Sequence, residues 1–339
     1  MIYCATRLTP SDKFIYNHFF DYYKNELGIH KFFVNFNYKI GGEEEFNIFV
    51  DNVLKDYGKD IIYNIGPNNI ESSESLNINK IKKLVETHAS DKDFILTADS
   101  DEFHFIPINC QDTNLFDFDY MNSTTIERFS PDFSTNHSLS KIKNYKQLFK
   151  TFNFDLGKFC TPKISLSTKN LFLNGIEVGH HRISNKELEA KSKKYPIPAR
   201  VNHFKWHKEG VNRMQFWNKL WSNEEYNGWK GSTDKQINTA NNINTEGNIF
   251  IINEIGADLE NEFNFKFDYS LKGNSRSGFK DINIHIVDES YIYSMNNKLY
   301  QKFKNLDLWD PFQIFCYKSR SEITFVNKID LIFFNHFYE

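Results

Sequence analysis

Four short apolar runs separated by three stretches of helical periodicity fill the first hundred residues, and this alternation most limits what the chain can fold into. Strand–helix alternation is the pattern of a largely parallel sheet with helices packed on it. Ile2 to Arg7 reads as the first strand. Thr9-Pro10 supplies a capping hydroxyl followed by a proline at the first helical position. Ile15, Phe19, Tyr23 and Leu27 then fall four apart on one face, and Gly28 ends that helix. Ile29 to Asn37 is the second strand, Glu43 to Asp56 the second helix and Asp60 to Ile65 the third strand. Ile78, Ile81, Leu84, Val85 and His88 mark a third helix before the strand Asp93 to Ala98.

That fourth strand runs directly into Asp99-Ser100-Asp101-Glu102-Phe103. Ligands of open α/β sheets gather where strands end at their carboxyl edge, which is where this acidic cluster falls. Two aspartates one residue apart can present both carboxylates to a divalent cation if the backbone turns there. Mg²⁺ or Mn²⁺ prefers such hard oxygen ligands and shares them with substrate phosphates. In a nucleotide-sugar enzyme the metal neutralises charge building on the leaving diphosphate. The alternative reading of the same residues is a solvated acidic turn.

Histidines give the second signal: His180-His181 in GIEVGHHRI, and His203 in VNHFKW. A histidine completes the coordination of a carboxylate-bound metal or hydrogen-bonds a phosphate; packing or surface roles remain open for all three. The absence of short cysteine spacings argues against a dedicated zinc site.

The later chain is less regular. Thr124 to Phe129 reads as a strand, Lys163 to Ser167 with Asn170 to Gly179 as a hairpin, and Glu209 to Ser222 as an amphipathic helix carrying Met214, Trp217 and Trp221. After residue 245 the runs EFNFKFDYSL, DINIHIV, Phe312 to Tyr317 and Glu322 to Phe325 alternate with period two, around one helical stretch, Asn297 to Asn305. This predicts a separate β-rich unit, a sandwich being one form it takes. The expected organisation is a catalytic domain over 1–245 and a β-rich domain over 246–339, a division that 339 residues readily accommodate.

Composition removes several classes. A net charge of -3 gives no reason to expect a nucleic-acid partner, which would want a basic patch. Cys4, Cys110, Cys160 and Cys316 are scattered, and a disulfide framework would be unusual in a chain this size, so a reduced, cytoplasmic protein is expected. No run approaches the ~18 apolar residues that span a bilayer, and the start of the chain has no secretion-signal pattern. Peripheral association with the inner face of a membrane stays compatible with all of this. The 34 phenylalanines and 17 tyrosines accompany many Asn, Lys and Ile residues, so aromatic stripes are read as compositional rather than functional.

Several blocks then agree in order with one family: YCATRLTPSDKFIYNHFFDYYKNELGIHKFFV at the start, TADSDEF, IERFSPD at 126–132, PKISL, GIEVGHH and NHFKW. Over about residues 1–225 the chain resembles the family 2 glycosyltransferases of the GT-A type, especially a bacterial subgroup with an Asp-x-Asp-Glu-Phe signature. The resemblance implies a GT-A (Rossmann-like) mixed sheet flanked by helices. It also implies an inverting transfer from a nucleotide-sugar, a UDP-sugar, to a glycan or glycolipid of surface polysaccharide. By motif it implies Asp101 as direct ligand of Mn²⁺ or Mg²⁺, Asp99 on metal or ribose with Ser100 between them, and His203 on metal or diphosphate. By position it places Ala5, Thr6 and Arg7 along base and ribose, and Lys205 beside phosphate. For the base that takes the acceptor proton, Asp132 matches an acidic position of the subgroup, with Glu127 and Glu102 as competitors. Glu127-Arg128 stands where the subgroup has aspartate and arginine, so a structural ion pair is the other reading of Glu127. Two further classes fit less well: a non-catalytic carbohydrate-binding or assembly protein that kept the fold, and a metal-dependent phosphohydrolase, which would gather more carboxylates and histidines.

Overall fold

The structure, a computed structural model, describes residues 1–37, 42–66 and most of 74–221, with a few positions between 234 and 241. Asp132, His181 and the expected β-rich domain over 246–339 lie outside the described residues. In chain order the main elements are β1 (Ile2–Leu8), α1 (Tyr16–Glu26), β2 (Phe32–Phe36), α2 (Glu43–Tyr57), β3 (Ile61–Ile65), α3 (Glu74–His88), β4 (Phe94–Thr97) and β5 (Glu102–Phe105). They continue with β6 (Tyr120–Phe129), α4 (Tyr145–Thr151), β7 (Phe154–Gly157), β8 (Lys163–Thr168), α5 (Lys169–Asn174), α6 (Lys186–Lys191), β9 (Ala199–His203) and α7 (Lys208–Trp221). No helix among the described residues is long and apolar enough to cross a membrane.

The chain divides into two compact units. The first takes residues 1–124 and 161–201. Its sheet runs β3-β2-β1-β4-β8-β6 and continues through β9 to β5. β1 pairs in parallel with both β2 and β4, and β2 with β3, as the strand–helix alternation predicts. β8 is antiparallel to β4, and the start of β6 antiparallel to β8, so the sheet is mixed.

Local sequence explains these elements. Thr9 and Asp12 form a capping box around a short 3-10 turn, Pro10–Asp12, that leads into α1. Ile15, Phe19 and Tyr23 are buried, so the stripe read from the sequence does face the core. Gly28 closes the helix at φ 65°, a left-handed conformation in which an added Cβ would meet the Gln111 side chain at 2.8 Å. The acidic first turn of α2, Glu43 to Glu45, faces the positive end of the helix dipole.

Strand alternation splits the apolar residues between two layers. Tyr3 and Ala5 share a face with Phe33, whose ring stacks on Tyr3 at 4.5 Å. Ile81, Leu84 and Val85 of α3 and Leu171 and Phe172 of α5 complete that layer. On the opposite face Phe32 meets Phe20 of α1 edge-on, and Phe36 meets Phe49 of α2. Each fully buried phenylalanine contributes ~1.5–3 kcal/mol over an exposed one, so the two layers, rather than helix propensity, hold α1 and α3 in place.

One element differs from expectation. Asn170 to Gly179 is not the second arm of a hairpin: β8 passes directly into α5, and only an isolated bridge joins Ile176 to Ile183. A short helix places Leu171 and Phe172 in the core with α3. A strand would have turned Leu171 and Phe172 to opposite faces.

The second unit takes residues 125–160 and those from 202 onward. In it β7 pairs antiparallel with the end of β6, matching Glu127 to Leu156 and Arg128 to Asp155. Arg128 is buried, its guanidinium 5.1 Å from the Phe149 ring and 5.7 Å from that of Phe204. The helix expected from Glu209 appears as α7. Glu209 accepts hydrogen bonds from the Ser138 hydroxyl and, at 2.9 Å, from Leu139 N.

Candidate active site

Parallel pairing brings the ends of two strands to one edge. Ala5 lies opposite Thr97, and Ala98 N donates to Ala5 O at 3.1 Å. Thr6 and Arg7, near the end of β1, therefore lie beside Asp99, Ser100 and Asp101, which follow β4. The two loops are also stitched together: Ser100 Oγ donates to Asp12 Oδ1 at 2.7 Å, while Asp12 Oδ2 accepts from Thr9 N at 2.7 Å.

The three carboxylates of the cluster differ in standing. The Asp99 side chain is 58% exposed. Asp101 and Glu102 are buried. Glu102 Oε2 accepts from Asp99 N at 3.2 Å, and its Oε1 lies 2.5 Å from Lys163 Nζ. The same ammonium lies 3.2 Å from Asp99 Oδ2.

Antiparallel register explains why Lys163 is there. Leu96 pairs with Leu166, and carrying that register three residues further sets Lys163 opposite Asp99. Thr97 Oγ1, donating to Ile164 O at 3.0 Å, fixes the alignment. Electrostatics follow from this arrangement. The Lys163 ammonium holds Asp99 down to about 2, with help from Arg7 and His180 and against the Asp101 charge. Burial works against the Lys163 charge, yet Glu102 and Asp99 together outweigh it and raise its pKa.

Behind the triplet lies a buried polar contact. Tyr23 Oη donates to Glu102 O at 2.9 Å and lies 2.6 Å from His104 Nδ1. Burial, reinforced by Lys163, pushes His104 down to about 3 against the pull of Asp99. His104 is therefore a neutral imidazole that supports the strand carrying Glu102 rather than a charged group.

The residues expected from the sequence distribute as follows. Ala5, Thr6, Arg7, Asp99, Ser100, Asp101 and Glu102 come together at the β1–β4 edge. His180 sits at a turn with φ 59°, its ring stacked on Phe172, and its carbonyl accepts from Ile164 N at 2.6 Å. His203, the last residue of β9, and Lys205, 5.4 Å from the Trp206 ring, belong to the second unit, as does Glu127 on β6. Phe204 beside His203 is fully buried against Phe149.

Lys163, Asp12 and His104 were missed by sequence reasoning. Asp12 could have been found as the acidic partner of the Thr9 cap, and His104 by its place two residues after Glu102. Lys163 carries no local signal.

Among the described residues, no group of three or more histidine, cysteine or carboxylate side chains converges as a ready metal cage. The carboxylates of Asp99 and Asp101 are the hard oxygen donors that Mg²⁺ and Mn²⁺ prefer. Asp99 and Glu102 both contact the Lys163 ammonium, and Asp99 is open to solvent. Mg²⁺ and Mn²⁺ sites of that kind use one or two carboxylates and complete the sphere with phosphate and water.

No family model matches the sequence, and no curated protein matches it. Among solved structures, HddC from Yersinia pseudotuberculosis is similar at 10% identity and TM-score 0.32, over 57% of this chain and 90% of that one. The same protein complexed with GMP-PN is similar at 12% identity and TM-score 0.33, over 60% and 93%. The functional reading rests on the residues of the site itself.

Proposed function

We propose that the protein is a metal-dependent glycosyltransferase that moves a sugar from a UDP-sugar to a glycan or glycolipid acceptor with inversion. The observation that carries this reading is the Asp99-Ser100-Asp101 triplet at the carboxyl edge of β4, beside the end of β1 and next to Lys163. Asp101 and Asp99 would hold Mn²⁺ or Mg²⁺. The cation supplies neutralisation of the charge on the leaving diphosphate.

Ala5, Thr6 and Arg7 line base and ribose, and Lys205 serves phosphate. A carboxylate takes the acceptor hydroxyl proton as that oxygen attacks the anomeric carbon; the bond from that carbon to the diphosphate oxygen breaks, and UDP leaves. Glu102 is poorly suited to be that base, because both its oxygens are engaged by Lys163 and Asp99 N in a buried position. Asp132 is therefore preferred, with Glu127 second.

The test is release of UDP from UDP-sugars in the presence of Mn²⁺, without acceptor and with glycan acceptors. Slow hydrolysis that stops on chelation supports the reading. Absence of turnover with UDP-, GDP- and CMP-sugars alike, with or without acceptor, contradicts it and leaves a binding protein.

A further inference from the structure

Lys163 stands between two carboxylates that hold it very differently. Its contact with Glu102 is 2.5 Å, and the Glu102 side chain is only 4% exposed. Breaking that pair would strand a buried charge, which is strongly unfavourable. Its contact with Asp99 is 3.2 Å and faces water, the kind of ion pair that contributes little. The ammonium thus has one firm anchor and one exchangeable partner.

A divalent cation bound to Asp99 would sit ~2.1 Å from a carboxylate oxygen. Lys163 Nζ already lies 3.2 Å from Asp99 Oδ2, so the two cations compete for one carboxylate. A nucleoside diphosphate changes that balance. Its negative charges fall between metal and ammonium and replace mutual repulsion by attraction to both.

Resting on the reading of Asp99 and Asp101 as metal ligands, we infer that Lys163 is a tethered counter-cation that withholds Asp99 from metal until a nucleoside diphosphate arrives. The ammonium then leaves Asp99, stays anchored on Glu102 and takes a diphosphate oxygen. Metal and nucleotide become mutually dependent ligands, each tightening the other by the same factor. The firm Glu102 anchor is what keeps Lys163 within reach of the phosphate after the exchange.

Mn²⁺ binding to the full chain, followed by the resonance of the free ion with and without UDP, tests this. Wild type should bind Mn²⁺ weakly alone and much more tightly with UDP. The paired variant E102Q/K163M removes anchor and ammonium together, so no buried charge is left unpaired. It should bind Mn²⁺ alone about tenfold more tightly than wild type, ~1.4 kcal/mol, and gain much less from UDP. Lys163→Arg keeps the charge and should keep the wild-type dependence. If E102Q/K163M does not fold, E102Q/K163Q takes its place under the same criteria. An unchanged or weaker Mn²⁺ affinity in the neutral variant, with the UDP effect intact, would overturn the tether and leave the metal site standing. No Mn²⁺ binding by any of these proteins, with or without UDP, would overturn both.

Discussion

Ser100 Oγ donates a 2.7 Å hydrogen bond to Asp12 Oδ1, joining the loop after β4 to the loop after β1 across 88 positions of sequence. The other oxygen of Asp12 accepts from Thr9 N and from Thr9 Oγ1, so one buried carboxylate both starts the helical segment and positions the acidic triplet. The triplet's geometry is thereby set by a residue outside it.

Asp12→Ala should therefore cost more than a lost cap. Removing the cap and leaving the Thr9 amide and Ser100 hydroxyl unpaired gives an expected loss of ~1–3 kcal/mol. Ser100→Ala removes one bond and should cost about 1 kcal/mol. Urea denaturation of both variants measures this. A stability of Asp12→Ala equal to wild type would show that the two loops are held by something else.

The Glu102–Lys163 pair predicts a non-additive cycle. Lys163→Met alone leaves a buried carboxylate, and Glu102→Gln alone leaves an ammonium 21% exposed, so the first should be the worse. Breaking a buried pair costs ~3–5 kcal/mol, and partial access of water to Lys163 moves the expectation to the lower end. The double variant should recover part of the loss. Four proteins compared by denaturation settle the coupling, and strict additivity would contradict it.

How far the sequence carried depends on the range of the interaction involved. β1 to β4 and α1 to α3 were legible because period and caps are local: the Ile15, Phe19, Tyr23 stripe and the Thr9-Pro10 start need no partner to be recognised. α5 was not, because an apolar run as short as Leu171 to Leu173 fits either period, and only packing with α3 decides it. Lys163 was illegible for a different reason. Its role comes from a register that brings it beside Asp99, 64 positions away, and nothing in PKISL marks it. Tyr23 shows the reverse: the stripe predicted its burial but not that its hydroxyl would hold Glu102 O.

Acid should unfold the protein partly through His104. Its pKa falls from the ordinary 6.5 to about 3 on folding, chiefly by burial. The unfolded chain then binds more protons between those values, so stability is fully present above pH 6.5 and falls as pH drops towards 3. Asp99 acts only below its ordinary 3.8, and Glu209, held down to about 2 by hydrogen bonds that outweigh burial, only below 4.5. Comparing wild type with His104→Gln by denaturation between pH 7 and 5 isolates the histidine. The variant should lose less stability across that window, and equal slopes would mean that His104 is no more reluctant to charge than an exposed histidine.

The central claim is that the aspartate pair holds a metal on a nucleotide diphosphate, and calorimetry of UDP binding tests it most directly. Wild type should bind UDP with Mn²⁺ and lose that affinity in EDTA. Asp101→Ala, folded by its melting curve, should bind at least about tenfold more weakly, ~1.4 kcal/mol. Equal UDP affinity with EDTA present, or an Asp101→Ala protein that binds UDP and Mn²⁺ as wild type does, would contradict the account.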